Sequence, residues 1–183
     1  MKFKTIKHYN VYGHAHELTF SCYKNQNFFH DDRVKLFFIE AVNNASEKHN
    51  FDVWAYVIML NHVHLLICPR TDQYSISGIL RTIKQSVSRR TKLLYEKEKN
   101  HELRNMATGK SDKPFRFWQE GPGFDKNVVV SEAVMNMVTY IHNNPVRKGY
   151  VEKPEDWTWS SAKAWKDSEN GKIIINLEMF PDY

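Results

Sequence analysis

The sequence predicts an α+β fold, a ferredoxin-like antiparallel sheet of about four to five strands packed with helices. Three observations predict it. Strand-like and helix-like stretches interleave along the chain, the two central apolar runs stand close enough to form a hairpin, and 183 residues with 42% hydrophobic content suit one sizeable core better than two.

In order, "ELTFSCY" (17–23) mixes β-branched and aromatic residues and reads as a strand. A helix follows "HDD", with Asp31 or Asp32 as its cap. Within it Val34, Phe37, Phe38, Ala41 and Val42 recur at three and four residues, which predicts one face buried against a sheet. "DVWAYVIM" and "HVHLLIC" then form a hairpin around Leu60-Asn61, where Asn tolerates the left-handed geometry that a tight connection often needs. From about Ser75 a long helix buries Ile76, Ile79, Leu80, Ile83 and Val87. The segment from Lys84 to Arg116 is basic and ends in a polar loop near "ATGKSDK". "PFRFWQEGPGFDKNVVV" offers one or two short strands broken by Gly-Pro-Gly. Ser131 caps a helix over "EAVMNMVTYIHNN", which Pro145 stops. Residues 1–183 read as a single domain, with about 150–183 as a C-terminal extension packing on it. The order strand, helix, strand, strand, helix, strand, helix gives the ferredoxin-like expectation.

The 26 basic and 21 acidic side chains leave a net charge of +5, with pI near 9.1. That balance favours an anionic partner such as nucleic acid. Cys22 and Cys68 have no second cysteine at metal-ligand spacing, so neither a disulfide framework nor a thiolate zinc site is expected, and a reducing cytosol suits both. "MKFKTIKHYN" lacks an apolar signal core, and no apolar run approaches the roughly 20 residues that span a bilayer, so membrane association is not expected.

Two motifs carry chemistry. In "NHVHLLI" (61–67), His62 and His64 point to the same face of a strand, about 6.6 Å apart at about 3.3 Å per residue. Two imidazoles so placed can converge on one ion, while Val63, Leu65 and Ile67 anchor the strand from the opposite face. The competing reading is a pair of core histidines satisfied by hydrogen bonds. A second pair, His14 and His16 in "GHAHELTF", has identical spacing and reads as surface residues. The other motif is "MVTYIHNNPV". Val134, Met137, Val138 and Ile141 form a buried stripe, and Tyr140 and Asn144 border it one turn apart. A phenol and an amide oxygen could thereby reach one site, the phenol as attacking group and the amide as a third metal ligand. The competing reading is an amphipathic Tyr at a core boundary and an Asn that ends a helix.

Taken together, "NHVHLLI", "YIHNNPVRKGYV" and "PEDWTWSSA" resemble the single-tyrosine HUH (His, hydrophobe, His) transposases, in particular the REP-associated tyrosine transposases of bacteria. The likeness spans "LTFSCY" to about Trp165. It implies an HUH-endonuclease fold and a metal-dependent endonuclease and strand-transfer enzyme acting on single-stranded DNA beside hairpins of palindromic repeats. The family's metal-binding histidines fall on His62 and His64, its polar ligand on Asn144 and its nucleophile on Tyr140, which would form a 5′-phosphotyrosine link. Mixed nitrogen and oxygen ligands suit Mg²⁺ or Mn²⁺. Two departures stand out: Leu60 where the family usually has proline, and Pro-Gly-Phe-Asp at 122–125 where relatives are often more aromatic and basic.

For DNA contact the expected surface is Lys84, Arg89, Arg90 and Lys92 on the long helix, with Arg147 and Lys148 beyond the catalytic helix; a solvated charged face is the competing reading. Trp118 reads as a stacking platform or as core. A non-cleaving protein that binds DNA or RNA hairpins is the alternative function. A small-molecule metal phosphoesterase ranks last, because no motif supplies its general base. The long tail tilts the expectation toward a monomer, and the location expected is the bacterial cytoplasm, at the nucleoid.

Overall fold

The computed structural model describes residues 8–121, 123–129, 131–167 and 171–181. Among these, four strands form one antiparallel sheet: β1 (Ala15–Ser21), β2 (Phe51–Ile58), β3 (His62–Pro69) and β4 (Phe124–Val128), in the order β2-β3-β1-β4. Helix α1 (Asp32–His49) connects β1 to β2, and α2 (Ile76–Lys97) with the short α3 (Leu103–Met106) lies between β3 and β4. Helices α4 (Ser131–His142), α5 (Asn144–Arg147) and α6 (Ala162–Asp167) follow. This is the ferredoxin-like β-α-β-β-α-β order.

Local chemistry sets the helix ends. The Asp31 side chain accepts from the Arg33 amide at 2.9 Å, and the Ser75 hydroxyl accepts from the Gly78 amide at 3.1 Å, so each helix start gains a partner for an otherwise orphaned donor. Helix α1 stops at Asn50, which takes the left-handed conformation with φ 52°.

Period-2 alternation sends the strands' side chains to two cores. Leu18, Phe20, Val63, Leu65 and Ile67 meet Val34, Phe38 and Val42 of α1 and Ile79, Ile83 and Val87 of α2 on one face. Val57, Leu66 and Val128 meet Val134, Val138 and Ile141 of α4 on the other. A register shift between Val53 and Ala55 lets Trp54 and Ala55 both join this second core. Burying a side chain of this size contributes roughly 1.5–3 kcal/mol, so packing rather than helix propensity holds α4 against the sheet. The C-terminal segment reaches both faces: Ile173 joins the first core, and Trp157, Trp165 and Phe180 pack on the second. Trp157 donates its indole N–H to the Ile58 carbonyl at 3.0 Å, Trp165 donates to Trp54 at 2.7 Å, and the Phe180 ring stands 5.0 Å from that of Trp54.

Several local expectations need correcting. Pro145 does not stop the helix: α4 ends at His142, and Pro145 sits in the first turn of α5, where its missing N–H matters least. Asn61 does not adopt a positive φ in the hairpin connection. Phe37 is half-buried under Arg90 rather than in the stripe, and Ile39 is buried instead. In keeping with the expected one or two strands, the described residues of 114–130 supply one, β4, with isolated bridges at Phe115 and Trp118. Ser131 is the first residue of α4; residue 130 before it, and Pro122 of the Gly-Pro-Gly, lie outside the described residues.

Candidate active site

Strand register builds the site. Thr19 of β1 lies directly opposite His64 of β3, and Ser21 opposite His62. On the other side of β1, Phe124 and Lys126 of β4 stand opposite Thr19 and Glu17. All of these face the side covered by α4. Gly123 allows β4 to start so close: a β-carbon there would sit 2.5 Å from the Thr19 carbonyl oxygen, and the residue has φ +86°.

The His62 and His64 rings meet edge to face with centroids 5.1 Å apart. Asn61 Nδ2 donates to the Asn25 carbonyl at 3.4 Å, which turns its Oδ1 toward His62 Nδ1 at 2.7 Å. His64 Nδ1 lies 2.7 Å from the Thr19 hydroxyl and 3.0 Å from Glu17 Oε1, and the Thr19 hydroxyl also donates to that oxygen. Each imidazole is thus gripped at Nδ1. Burial pushes the His62 imidazole down to about 4, with the charges of His64 and Lys148 adding to it, so the ring is neutral at neutral pH and keeps a lone pair to offer.

Helix α4 supplies the phenol. Tyr140 is 43% exposed, and its ring stands edge-on to His64 with centroids 5.7 Å apart. Glu17, Thr19, His64, Phe124, Lys126, Met137 and Tyr140 line a pocket of about 390 Å³. Helix α5 turns back toward it: the Arg147 guanidinium lies 4.8 Å from the Tyr140 ring centroid, and Lys148 is near enough for its charge to act on His62. Asn144 is buried, and its side-chain nitrogen donates to the carbonyls of Tyr140 at 2.9 Å and Ile141 at 3.3 Å. Its amide oxygen is the atom left to act as a donor toward a cation.

The remaining basic residues lie apart from this site. Lys84, Arg89 and Lys92 line a groove of about 880 Å³ along α2, on the opposite side of the sheet. Arg90 pairs with Glu40 at 2.5 Å and stacks on Phe37, and Lys92 pairs with Glu96 at 3.3 Å. Trp118 is core: it is nearly buried, and its indole N–H donates to the Lys84 carbonyl at 3.0 Å. His16 corrects the surface expectation outright. It is fully buried, with Nδ1 on Asp125 at 2.8 Å and Nε2 on the Tyr74 hydroxyl at 2.8 Å, while the half-buried His14 contacts Asn127 at 3.1 Å. Sequence reasoning missed Glu17, Thr19, Lys126 and the grip of Asn61. Alternation marks Glu17 and Thr19 as sharing a face, but only the β1–β3 register sets that face beside His64.

These residues fit a divalent cation. Two imidazoles held at Nδ1 present Nε2, and an amide oxygen supplies a harder donor. Among the described residues no three His, Cys, Asp or Glu side chains cluster as a metal site.

The ferredoxin-like sheet thus carries a His-hydrophobe-His strand beneath a helical tyrosine. The chain belongs to the IS200-like transposase family, whose model matches residues 10–144. It is 28% identical over 138 residues to a Haemophilus influenzae protein named as a REP-associated tyrosine transposase, covering 71% of this chain and 73% of that one. Its fold is similar to that of a REP-associated tyrosine transposase solved bound to a REP hairpin, with TM-score 0.69, 16% identity, and coverage of 99% of this chain and 95% of the other. A transposase structure from Deinococcus radiodurans also matches, with TM-score 0.44 and 18% identity over 78% of this chain and 97% of that one.

Proposed function

We propose that this protein is a REP-associated, metal-dependent endonuclease and strand transferase that cuts single-stranded DNA beside a hairpin, with Tyr140 as nucleophile. One observation carries the reading: a solvent-accessible phenol at the mouth of a pocket, in ring contact with His64 of the paired histidines. A core-boundary tyrosine would not need that neighbour. The hairpin held by the similar solved structure supports hairpin DNA as the substrate class.

His62, His64 and Asn144 would hold Mg²⁺ or Mn²⁺, which supplies charge neutralisation at a non-bridging phosphate oxygen. The protein's own groups do the rest. Tyr140 Oη attacks phosphorus, the bond to the 3′-oxygen breaks, and a 5′-phosphotyrosine and a 3′-hydroxyl result; the phenol proton is lost and the leaving oxygen gains one. A second 3′-hydroxyl can reverse the step, so no external energy source is needed. Arg147 and Lys148 place positive charge beside Tyr140 and His62, where the phosphate must sit. The phenol and the histidines meet within one chain, which supports action as a monomer.

The test is a denaturation-resistant protein–DNA adduct formed on hairpin-flanked single-stranded DNA with Mn²⁺ or Mg²⁺. Wild type should form it, Tyr140→Phe should form none, and chelator should abolish cutting while sparing much of the binding. Adduct formation by Tyr140→Phe, or full cutting in excess EDTA, would refute the assignment. Tight hairpin binding with no adduct on any substrate would favour the non-cleaving binder.

A further inference from the structure

Glu17 is a carboxylate with no obvious reason to be buried. It is only 3% exposed, it sits on β1 beside Thr19 and His64 with Lys126 opposite it on β4, and its only ion-pair partner among the described residues is His64. Burying a carboxylate is expensive unless specific partners hold it, and an apolar residue here would pack without that penalty. Its Oε1 takes both the Thr19 hydroxyl and His64 Nδ1.

From this geometry we infer that Glu17 is a positioning residue, which keeps the His64 proton on Nδ1 so that Nε2 presents its lone pair to a divalent ion. The inference deepens the metal-dependent reading above and rests on it. Imidazole nitrogens point apart, so a carboxylate at Nδ1 acts through the ring rather than as a ligand beside it. Thr19 contacts both partners: its proton goes to Glu17, so its oxygen can accept from His64 Nδ1–H and reinforce the same tautomer. His62 is treated in parallel by Asn61 Oδ1, a neutral acceptor on a half-buried turn. A carboxylate acceptor strengthens the donor character of the far nitrogen more than an amide does.

Two measurements on the full chain test this. Long-range ¹H–¹⁵N spectra of the metal-free protein report the tautomer of each histidine; His64 should carry its proton on Nδ1 in wild type and lose that preference in Glu17→Ala. Titration with Mn²⁺, followed by the loss of its free paramagnetic resonance signal, should show Glu17→Ala weakened on the order of 10–100-fold. Glu17→Gln, which keeps an acceptor oxygen, should be weakened less. An Nε2–H tautomer in wild-type His64 overturns the proposal even if Glu17→Ala fails to fold. Equal Mn²⁺ affinity in wild type and Glu17→Ala overturns it while leaving the metal site intact. Failure of wild type to bind Mn²⁺ removes the metal-dependent reading itself.

Discussion

Two His-x-His pairs stand in this chain at identical spacing, and the structure places them on opposite faces of the sheet. His14 and His16 lie at the start of β1, His62 and His64 at the start of β3. His16 points into the face packed by α1 and α2, where Asp125 takes one ring nitrogen and Tyr74 the other. Asp125 also holds His8 at 2.5 Å, tying the segment before β1 to β4. Burial pushes the Asp125 carboxyl up, but the bonds from His16 and His8 outweigh it and leave the group below the ordinary carboxylate range. On the other face, His62 and His64 are held at Nδ1 only. Spacing makes a pair of imidazoles available, and whether the second nitrogen is already committed decides between clamp and ligand.

Breaking each pair in turn gives the largest expected effect. His64→Ala should lower adduct formation per folded molecule on the order of 10²–10³-fold, in the range for removing one preorganised electrostatic group from an active site, and it should also cost stability because the buried Glu17 loses its ion-pair partner. His16→Ala should cost stability alone. It leaves Asp125 buried with half its partners, at a cost of about 3–5 kcal/mol, while cutting per folded molecule stays near wild type. Tyr74→Phe is the gentler version, removing the hydroxyl's two hydrogen bonds, to His16 and to the Val11 carbonyl, worth about 1 kcal/mol each. Thermal melts and a gel-based adduct assay read both axes; loss of cutting in a folded His16→Ala protein would erase the distinction between the faces.

Much of this was legible in the residues. Composition and apolar runs marked the strands, the 3.6 period marked the three long helices, and the apolar stripes of those helices face the cores except at Phe37. The ring contacts among His62, His64 and Tyr140 follow from strand alternation and helix position. Three things could not be read locally. The burial of His16 depends on Asp125 and Tyr74, 109 and 58 residues away. Glu17 needs the β1–β3 register, and a slip of one residue would send it to the other face. The course of the chain at Asn143–Pro145 turned on tertiary packing, because proline is as acceptable in a first helical turn as after a last one.

Lys84 gives a middle-sized test of the sealed face. Its ammonium lies 4.8 Å from the Phe20 ring centroid, and burial pushes it down to about 8. The folded state disfavours the charged form, so between about pH 8 and the ordinary lysine range the unfolded chain binds more protons and stability rises with pH. Lys84→Met should therefore raise stability near neutral pH by about 1 kcal/mol. The full shift would correspond to roughly 3 kcal/mol, reduced because the side chain is only partly enclosed. The gain should fade as pH rises toward 10.5, where both states of the wild type lose the proton. Chemical denaturation at pH 7 and 10 measures it, and a gain that is the same at both values would mean packing rather than charge.

The smallest effect separates the open face from the groove behind it. Arg147 stacks on Tyr140, whereas Arg89 lines the α2 groove on the far side of the sheet. If the DNA phosphates lie over the catalytic face, Arg147→Ala should weaken hairpin binding and reduce the salt slope of log K by about 1, as expected for one lost phosphate contact. Arg89→Ala should change neither by much. Arg147→Lys keeps the charge without the planar guanidinium, so it should restore the salt slope while recovering only part of any loss in adduct rate that stacking on the phenol contributes, a contribution of about 0.5–1 kcal/mol at an exposed site. Affinity measured from 50 to 200 mM salt decides the matter: a larger drop for Arg89→Ala than for Arg147→Ala would move the nucleic acid to the α1–α2 side and leave Tyr140 reached only by the strand's free end.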